Sequence, residues 1–167
     1  RCGYEYLRLS GGEPTIGLEH IYELLDLVED TKFTFILETN GLLIGKYPEV
    51  ARKLASYSKI VVRVSFKGCT PGEFEFLSGA DKHFYQYQFK ALENLLNHGL
   101  NPCREFYPAV MLSFSSSETY SEFRKRLVEI HPVLAECIDE EYVILYPHVR
   151  ELLRRNKLKP RVAYNPS

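Results

Sequence analysis

The chain has little of what would tie it to a membrane, to nucleic acid or to an extracellular scaffold. Its 167 residues contain no apolar run near the ~18 residues that a bilayer-spanning helix needs. No charge of one sign dominates, because 21 Lys and Arg are balanced by 22 Asp and Glu, and the two signs are interspersed. This balance argues against an electrostatic attraction to nucleic acid or to an anionic membrane. We therefore expect neither nucleic acid nor a membrane among its partners.

Cysteine is scarce as well, and its spacing is informative. The four cysteines, Cys2, Cys69, Cys103 and Cys137, lie far apart and form no CxxC pair. Disulfide frameworks are typical of short secreted chains, and zinc sites of closely spaced cysteine pairs. The sequence therefore predicts no metal ligands in this chain, and reduced thiols in a cytoplasmic protein.

Strand-like and helix-like patterns alternate along the chain. The strand-like runs are Tyr4–Ser10, Phe33–Asn40, Lys59–Lys67, Glu105–Ser115 and Glu141–Pro147. Apolar residues at helical spacing lie between them, including a capped helix that opens at Thr70 with Glu73 completing a capping box, and helices at 84–99, 117–130 and 148–156. This order predicts right-handed βαβ units and a parallel sheet. Residues 1–156 would form this core, and 157–167 an extended or mobile tail.

The two faces of the predicted strands distinguish an open doubly wound sheet from part of a (β/α) barrel. Alternation places Arg8, Glu38, Arg63 and Lys67 on one face and apolar residues on the other. A fully packed barrel would fill its interior with apolar side chains, and an open sheet covered by helices would be apolar on both faces. We therefore predict an α/β fold, a partial (β/α) barrel of five parallel strands with an open lumen that holds a ligand.

Candidate site residues follow the first three strands, at the point where each strand ends. They are Gly11, Gly12, Glu13, Thr39, Asn40, Ser65 and Lys67. Ligands of parallel α/β folds bind at the carboxyl ends of the strands. The sequence therefore predicts that these residues share one ligand site.

The stretches LRLSGGEPT, FILETNG and VRVSFKG, in this order, resemble the radical S-adenosylmethionine superfamily. Within it, the chain looks most like proteins related to pyruvate formate-lyase activating enzyme, and the resemblance covers nearly the whole chain. It implies a six-stranded partial barrel, a 4Fe–4S cluster, and S-adenosylmethionine bound across the strand ends and cleaved reductively to a 5′-deoxyadenosyl radical. The implied reductant is a flavodoxin or ferredoxin. The implied substrate is a protein glycyl-radical site, as for an activase, or a small molecule.

The resemblance also implies roles for single residues. Gly11, Gly12 and Glu13 match the motif that receives the methionyl ammonium, and the chemistry agrees, because glycine carbonyls and a carboxylate are acceptors for a cation.

The other two motifs complete the implied site. Relatives often have Asp-Leu-Lys where this chain has Ser65, Phe66 and Lys67. A cofactor contact therefore carries over to Lys67, while Ser65 replaces the aspartate. Thr39 and Asn40 match the motif on the strand between. Lys67 or Asn40 would bind the methionyl carboxylate.

One departure from the family concerns the cluster. The family binds it through a CxxxCxxC loop after the first strand, and here Cys2 stands alone. Together with the start at Arg1, this predicts a fragment that holds five of six core strands and is inactive by itself. Tyr4–Ser10 would then be a sheet edge, which favours a dimer contact or a folded-back segment.

Two alternatives remain open, and two residues are weaker candidates. Lys67 with Glu13 and Glu38 would suit a Schiff-base aldolase or lyase, and the strand ends would also suit a non-catalytic nucleotide-binding or interaction module. Cys69 is either a hydrogen-atom relay or a small loop residue. His148, after the last strand, is a substrate-side candidate.

Overall fold

The computed structural model describes residues 3–9 and 11–166, and its centre is one parallel sheet. The sheet strands are β1 (Tyr6–Arg8), β2 (Thr34–Thr39), β3 (Ile60–Phe66), β4 (Phe106–Met111) and β5 (Asp139–Glu141). Their order in space follows their order in the chain, and every neighbouring pair is parallel. A doubly wound sheet would reverse its order at a switch point. The curled five-stranded sheet thus confirms the predicted partial barrel.

Helices fill the crossovers between the strands. They are α1 (Leu18–Glu29), α2 (Leu42–Lys46), α3 (Pro48–Leu54), α4 (Pro71–Ser78), α5 (Tyr85–Asn97), α6 (Ser117–Ile130) and α7 (Pro147–Arg155), with short 3-10 helices at Pro14–Gly17, Lys82–Phe84 and Pro132–Ala135. Thr70 caps α4 as predicted, because its hydroxyl accepts a hydrogen bond from the Glu73 N–H at 3.1 Å. The second half of the predicted capping box is wrong, because the Glu73 carboxylate accepts a hydrogen bond from the N–H of Cys69 and not from that of Thr70. Over the described ranges, no helix combines the length and the apolar character needed to cross a lipid bilayer.

The two faces of the sheet differ in the predicted way. On the outer face Val62, Val64 and Phe66 are buried beneath the helices. The Phe66 ring packs edge-on against those of Phe89 and Phe123, with ring centroids 4.9 and 5.0 Å apart. The charged residues lie on the inner face, where the register pairs Glu38 of β2 with Arg63 of β3. The prediction that the charges share one face is therefore confirmed.

The predicted position of the fifth strand is wrong. The chain joins the sheet at Asp139–Glu141, and Val143–Ile144 forms β6, which pairs with β7 (Ala163–Tyr164) in a separate small sheet. Three consecutive acidic residues are not typical of a sheet strand, so the sequence pattern did not predict one here. In the fold, however, the carboxylates of Asp139 and Glu141 are paired with Arg63, which makes the position favourable.

Among the described residues, the tail does not pair with the edge of β1. Within the predicted tail, β7 pairs with β6, and the Arg161 N–H donates to the carbonyl of Ser113, two residues after β4, at 2.6 Å. The first strand shortens to Tyr6–Arg8, and Ser10 lies outside the described residues. Within residues 3–9 and 11–166, β1 pairs only with β2. The expected folded-back segment is therefore absent from that part of the chain.

The expectation of reduced thiols is wrong for two of the cysteines. Cys103 and Cys137 form a disulfide, although 34 residues separate them. One cysteine precedes β4 and the other precedes β5, and the parallel pairing of these strands brings their amino ends together. Linear spacing does not reveal this proximity. Cys69 is free and buried, and Cys2 lies outside the described residues.

Candidate functional site

All seven predicted site residues line one cavity at the carboxyl ends of β1, β2 and β3. Its volume is about 340 Å³. Its lining residues are Gly11, Gly12, Glu13, Glu38, Thr39, Asn40, Ser65 and Lys67. The parallel register accounts for this assembly, because it aligns the points at which the three strands end. Three motifs that are far apart in the sequence thus form a single concave site.

The Glu13 carboxylate ties the glycine turn to the end of β2. Its Oε1 accepts hydrogen bonds from the Thr15 hydroxyl (2.5 Å), the Thr15 N–H (3.1 Å) and the Thr39 hydroxyl (2.6 Å). Its Oε2 accepts from the Asn40 N–H at 2.6 Å. Glu13 also caps the 3-10 helix Pro14–Gly17. Part of its role is therefore to hold the turn in place, which the sequence interpretation did not include.

The two glycines leave the cavity open beside this carboxylate. Gly11 has a φ of 117°, a backbone conformation that residues with a side chain rarely adopt. A Cβ on either Gly11 or Gly12 would meet no atom within 4 Å, so the space next to them is empty. No group among the described residues donates a hydrogen bond to their carbonyls. These carbonyls are therefore available as acceptors for a ligand.

Asn40 ends β2 and begins the turn into α2. Its Oδ1 accepts a hydrogen bond from the Leu42 N–H at 2.9 Å, so the side-chain oxygen is used inside the turn. Gly41 follows with a φ of 76°, and a Cβ there would lie 2.8 Å from the Val64 side chain. The Asn40 amide N–H₂ group has no hydrogen-bond partner within residues 3–9 and 11–166. It remains a donor for a ligand.

Lys67 supplies the cation of the cavity. Its Nζ donates to the Ser65 hydroxyl at 3.1 Å and lies 3.7 Å from Glu141 Oε2. Ser65 is buried, whereas the Lys67 side chain is 45% exposed. The Ser65 hydroxyl therefore orients the ammonium without neutralising it, and the nearby negative charge comes from Glu141.

A network of six charged side chains lies on the inner face next to the cavity. Its members are Arg8, Glu38, Arg63, Asp139, Glu141 and Lys67. The guanidinium of Arg63 is at its centre, 5% exposed, and it contacts Glu38, Asp139 (2.8 Å) and Glu141 (2.6 Å). Burial opposes the charged form, but the hydrogen bonds that it donates to Glu141 and Asp139 outweigh burial and raise the Arg63 pKa.

Three residues of this region were missed by sequence reasoning. Asp139 and Glu141 were missed because the fifth strand was placed too late in the chain. Gln88 lies at a core position of α5, where it is fully buried, and its Nε2 donates to the carbonyls of Asn40 (2.9 Å) and Ser65 (2.8 Å). The signal available in the sequence was a glutamine at a core position of an amphipathic helix.

The two weaker candidates do not line the cavity. Cys69 is buried, and burial raises the pKa of its thiol to about 11, so the thiol is protonated at neutral pH. This environment favours the interpretation of Cys69 as a small buried residue. His148 is exposed near the start of α7, where its ring stacks on Tyr146 with centroids 5.9 Å apart.

Comparison with known protein families identifies the superfamily of the chain. The sequence model of the radical SAM superfamily, whose members use S-adenosylmethionine, matches residues 1–124. The chain belongs to the radical SAM superfamily. The predicted family is therefore confirmed, and so is the prediction that the chain comes from a radical SAM enzyme family.

Two relatives are mycofactocin maturases of the radical SAM type. The chain is 32% identical over 99 residues to mycofactocin maturase MftC of Mycolicibacterium smegmatis (strain ATCC 700084), a match that covers 59% of this chain and 24% of the relative. It is 33% identical over 94 residues to MftC of Mycobacterium ulcerans (strain Agy99), covering 56% and 24%. The chain thus spans about a quarter of the length of the curated relatives that it matches. Neither relative is named an activating enzyme, so the resemblance to pyruvate formate-lyase activating enzyme is not confirmed.

The superfamily implies S-adenosylmethionine and a 4Fe–4S cluster, and the cavity fits only the first. The methionyl end of S-adenosylmethionine has an ammonium and a carboxylate on one carbon, and the cavity offers acceptors at Gly11 and Gly12 and a cation at Lys67. The cluster does not fit the described residues. Over residues 3–9 and 11–166, no group of three or more His, Cys, Asp or Glu could hold a metal ion.

Proposed function

We propose that this chain provides the methionyl-binding part of the cofactor site of a radical SAM enzyme. The supporting observation is the single cavity that joins the glycine turn, the end of β2 and the end of β3. In this superfamily, bound S-adenosylmethionine supplies a 5′-deoxyadenosyl radical when it is cleaved reductively, with an electron from a flavodoxin or ferredoxin. The residues of this chain bind and orient the cofactor.

The proposed roles follow from the donors and acceptors of the cavity. The ammonium binds the carbonyls of Gly11 and Gly12 and the Oε2 of Glu13, which accepts one hydrogen bond from the protein and has a further lone pair. The carboxylate binds Lys67 Nζ and the Asn40 amide N–H₂ group. Thr39 and Ser65 hold Glu13 and Lys67 in position through their hydroxyl groups.

The proposed affinity of the chain by itself is weak. Each charge-assisted hydrogen bond contributes roughly 1.5–3 kcal/mol, and association has a large entropic cost. A few such bonds leave a Kd of about 1 mM. Because the described residues offer no cluster ligands, we also propose that the chain alone does not cleave the cofactor.

The type of substrate is a further part of the proposal. The relatives are named maturases, which favours a maturase-type role over the activase role that the first resemblance suggested. Activation of a protein glycyl-radical site thus remains a prediction without support from these relatives, and so does small-molecule chemistry.

The lysine-dependent aldolase is the less favoured alternative. Lys67 is held by Ser65 and lies near Glu141. A Schiff-base site would give the glycine turn no role, whereas a radical SAM cofactor site gives it one. Trapping of a carbonyl substrate on Lys67 with borohydride would favour the aldolase.

A titration with S-adenosylmethionine tests the proposed site. We expect NMR chemical-shift changes at Gly11, Gly12 and Asn40, and a Kd of about 1 mM. Glu13→Gln should weaken binding by about ten- to a hundredfold, the loss of one charge-assisted hydrogen bond. Lys67→Met should also weaken binding, because it removes the cation that binds the methionyl carboxylate.

Glu29→Gln is the matched control. Glu29 also ties chain segments together, because its carboxylate accepts hydrogen bonds from the N–H and the hydroxyl of Ser58, but at the amino end of β3, opposite the cavity. It should leave the Kd within about twofold, since it adds no contact to the ligand. If Glu13→Gln binds as tightly as the parent chain, or if the parent gives no shifts at the glycines, the proposal is wrong.

A further inference from the structure

Gln88 of α5 joins the two strand ends that form the cavity. The last paired residues of β2 and β3 are Thr39 and Val64, and the next residues are Asn40 and Ser65. At this point the Gln88 Nε2 donates one hydrogen bond to each strand, to the Asn40 carbonyl at 2.9 Å and to the Ser65 carbonyl at 2.8 Å. The side-chain amide therefore bridges β2 and β3 just beyond the last residue pair of their ladder.

The two residues that Gln88 bridges each contact a charged group of the cavity, the Glu13 carboxylate or the Lys67 ammonium. Asn40 is held from two sides, because its carbonyl accepts from Gln88 and its N–H donates to Glu13. Ser65 is held by its carbonyl, and its hydroxyl accepts the hydrogen bond from Lys67 Nζ. The Gln88 side chain thus fixes the two backbone segments that orient the Glu13 carboxylate and the Lys67 ammonium.

Packing alone does not account for a glutamine at this position. Gln88 is completely buried, and its Oε1 has no hydrogen-bond partner within the described ranges. An unpaired buried acceptor is unfavourable, and an apolar side chain of similar length would avoid it. The two hydrogen bonds of Nε2 are what the glutamine adds over such a side chain.

We propose that Gln88 is a positioning residue of the cofactor cavity, which sets the separation of the β2 and β3 ends and so directs the Asn40 N–H to Glu13 and holds Lys67. The part of this inference that concerns cofactor affinity rests on the proposed function. The part that concerns the backbone of Asn40 does not need a ligand.

The same helix offers a matched control. Asn94 of α5 also donates from a side-chain amide to two carbonyls of the segment after β2, those of Ile44 (2.9 Å) and Gly45 (3.3 Å) in α2. None of these three residues lines the cavity. Asn94→Leu therefore removes the same kind of bridge between α5 and its neighbour without removing one from the site.

The experiment compares Gln88→Met with Asn94→Leu in the full chain. The first readout is hydrogen exchange at the Asn40 N–H, followed by NMR without ligand. We expect at least tenfold faster exchange in Gln88→Met and a change below twofold in Asn94→Leu. The second readout is the Kd for S-adenosylmethionine, which should rise at least fivefold in Gln88→Met only, even where both variants lose the same amount of thermal stability.

Equal effects of the two variants on Asn40 exchange would overturn the inference, because the bridge would then be an ordinary packing contact. If the parent chain does not bind S-adenosylmethionine, the proposed function fails, and Asn40 exchange still decides the role of Gln88. If Gln88→Met does not fold, the parent chain provides the test. Slow exchange of the Gln88 side-chain amide protons supports the bridge, and fast exchange contradicts it.

Discussion

The guanidinium of Arg63 holds three carboxylates on the inner face of the sheet. Those of Glu38, Asp139 and Glu141 come from two other strands, and the Arg63 side chain is almost inaccessible to solvent. Loss of the guanidinium would remove hydrogen bonds to all three carboxylates, although these are partly exposed and Glu38 and Glu141 keep a second cation nearby, Arg8 and Lys67. At the residue scale, Arg63 is therefore the charged side chain on which the stability of the inner face depends most.

Arg63→Met should lower the free energy of unfolding by about 1.5–3 kcal/mol, since it removes the hydrogen bonds that the buried guanidinium donates to partly exposed carboxylates. Urea unfolding at neutral pH measures the change. Arg8→Met is the control, because Arg8 binds Glu38 in the same network but is about half exposed. It should cost less than about 1 kcal/mol. Equal losses in the two variants would show that the burial of Arg63 has no energetic consequence.

At the scale of elements, β5 depends on its partners more than on its own sequence. It has three residues, of which Asp139 and Glu140 are exposed. It is held by the pairing with β4, by Arg63, and by the disulfide between Cys103 and Cys137 before β4 and β5. The disulfide therefore anchors the strand that supplies two of the carboxylates around Arg63.

Replacing both Cys103 and Cys137 by serine should lower the free energy of unfolding by about 3–4 kcal/mol, the loop-closure contribution expected for their separation. Urea unfolding of the oxidised parent chain and of the variant measures the difference. Dithiothreitol should destabilise the parent by the same amount and leave the variant unchanged. A parent chain that is indifferent to the reductant would contradict the disulfide.

At the scale of the whole molecule, β1 is an edge strand of the sheet, and among the described residues its outer side has no pairing partner. All described residues from Gly3 to Leu9 are exposed, and they include the apolar side chains of Tyr4, Tyr6, Leu7 and Leu9. Unpaired backbone groups flanked by apolar side chains favour pairing with another strand. We propose that this edge pairs with the same edge of a second copy of the chain.

Light scattering tests this pairing. We expect a dimer that dissociates in Leu7→Lys, because a charge on an edge strand opposes pairing. Leu27→Lys is the control, since Leu27 is an exposed leucine on α1 and should leave the dimer intact. A parent chain that is monomeric at high concentration would exclude the edge-strand dimer.

The predictions that succeeded depend on short-range patterns. The alternation within β2 and β3 placed Glu38 and Arg63 on one face, and the helical spacing predicted α6 with its observed bounds. The seven residues that line the cavity lie at or shortly after the carboxyl ends of β1, β2 and β3, and the topology of parallel sheets brings these ends together.

The predictions that failed depend on contacts between distant segments. Asp139 and Glu141 lie in a strand where Arg63 pairs with their carboxylates, and Cys103 meets Cys137 where β4 and β5 are neighbours. Gln88 reads as a core residue in the sequence and becomes a bridge only when α5 packs over the ends of two strands.

The sequence by itself thus determined the class of fold, the polar inner face, the superfamily motifs and the residues that line the cavity. The fold class and the polar face follow from periodicities of two or a few residues, and the motifs that resemble the superfamily are short stretches of consecutive residues. The tertiary structure decided which carboxylates surround Arg63, which cysteines are bonded and which side chain bridges the ends of β2 and β3. Those contacts are between residues that are distant in the chain, so they exist only once the sheet order has brought the segments together.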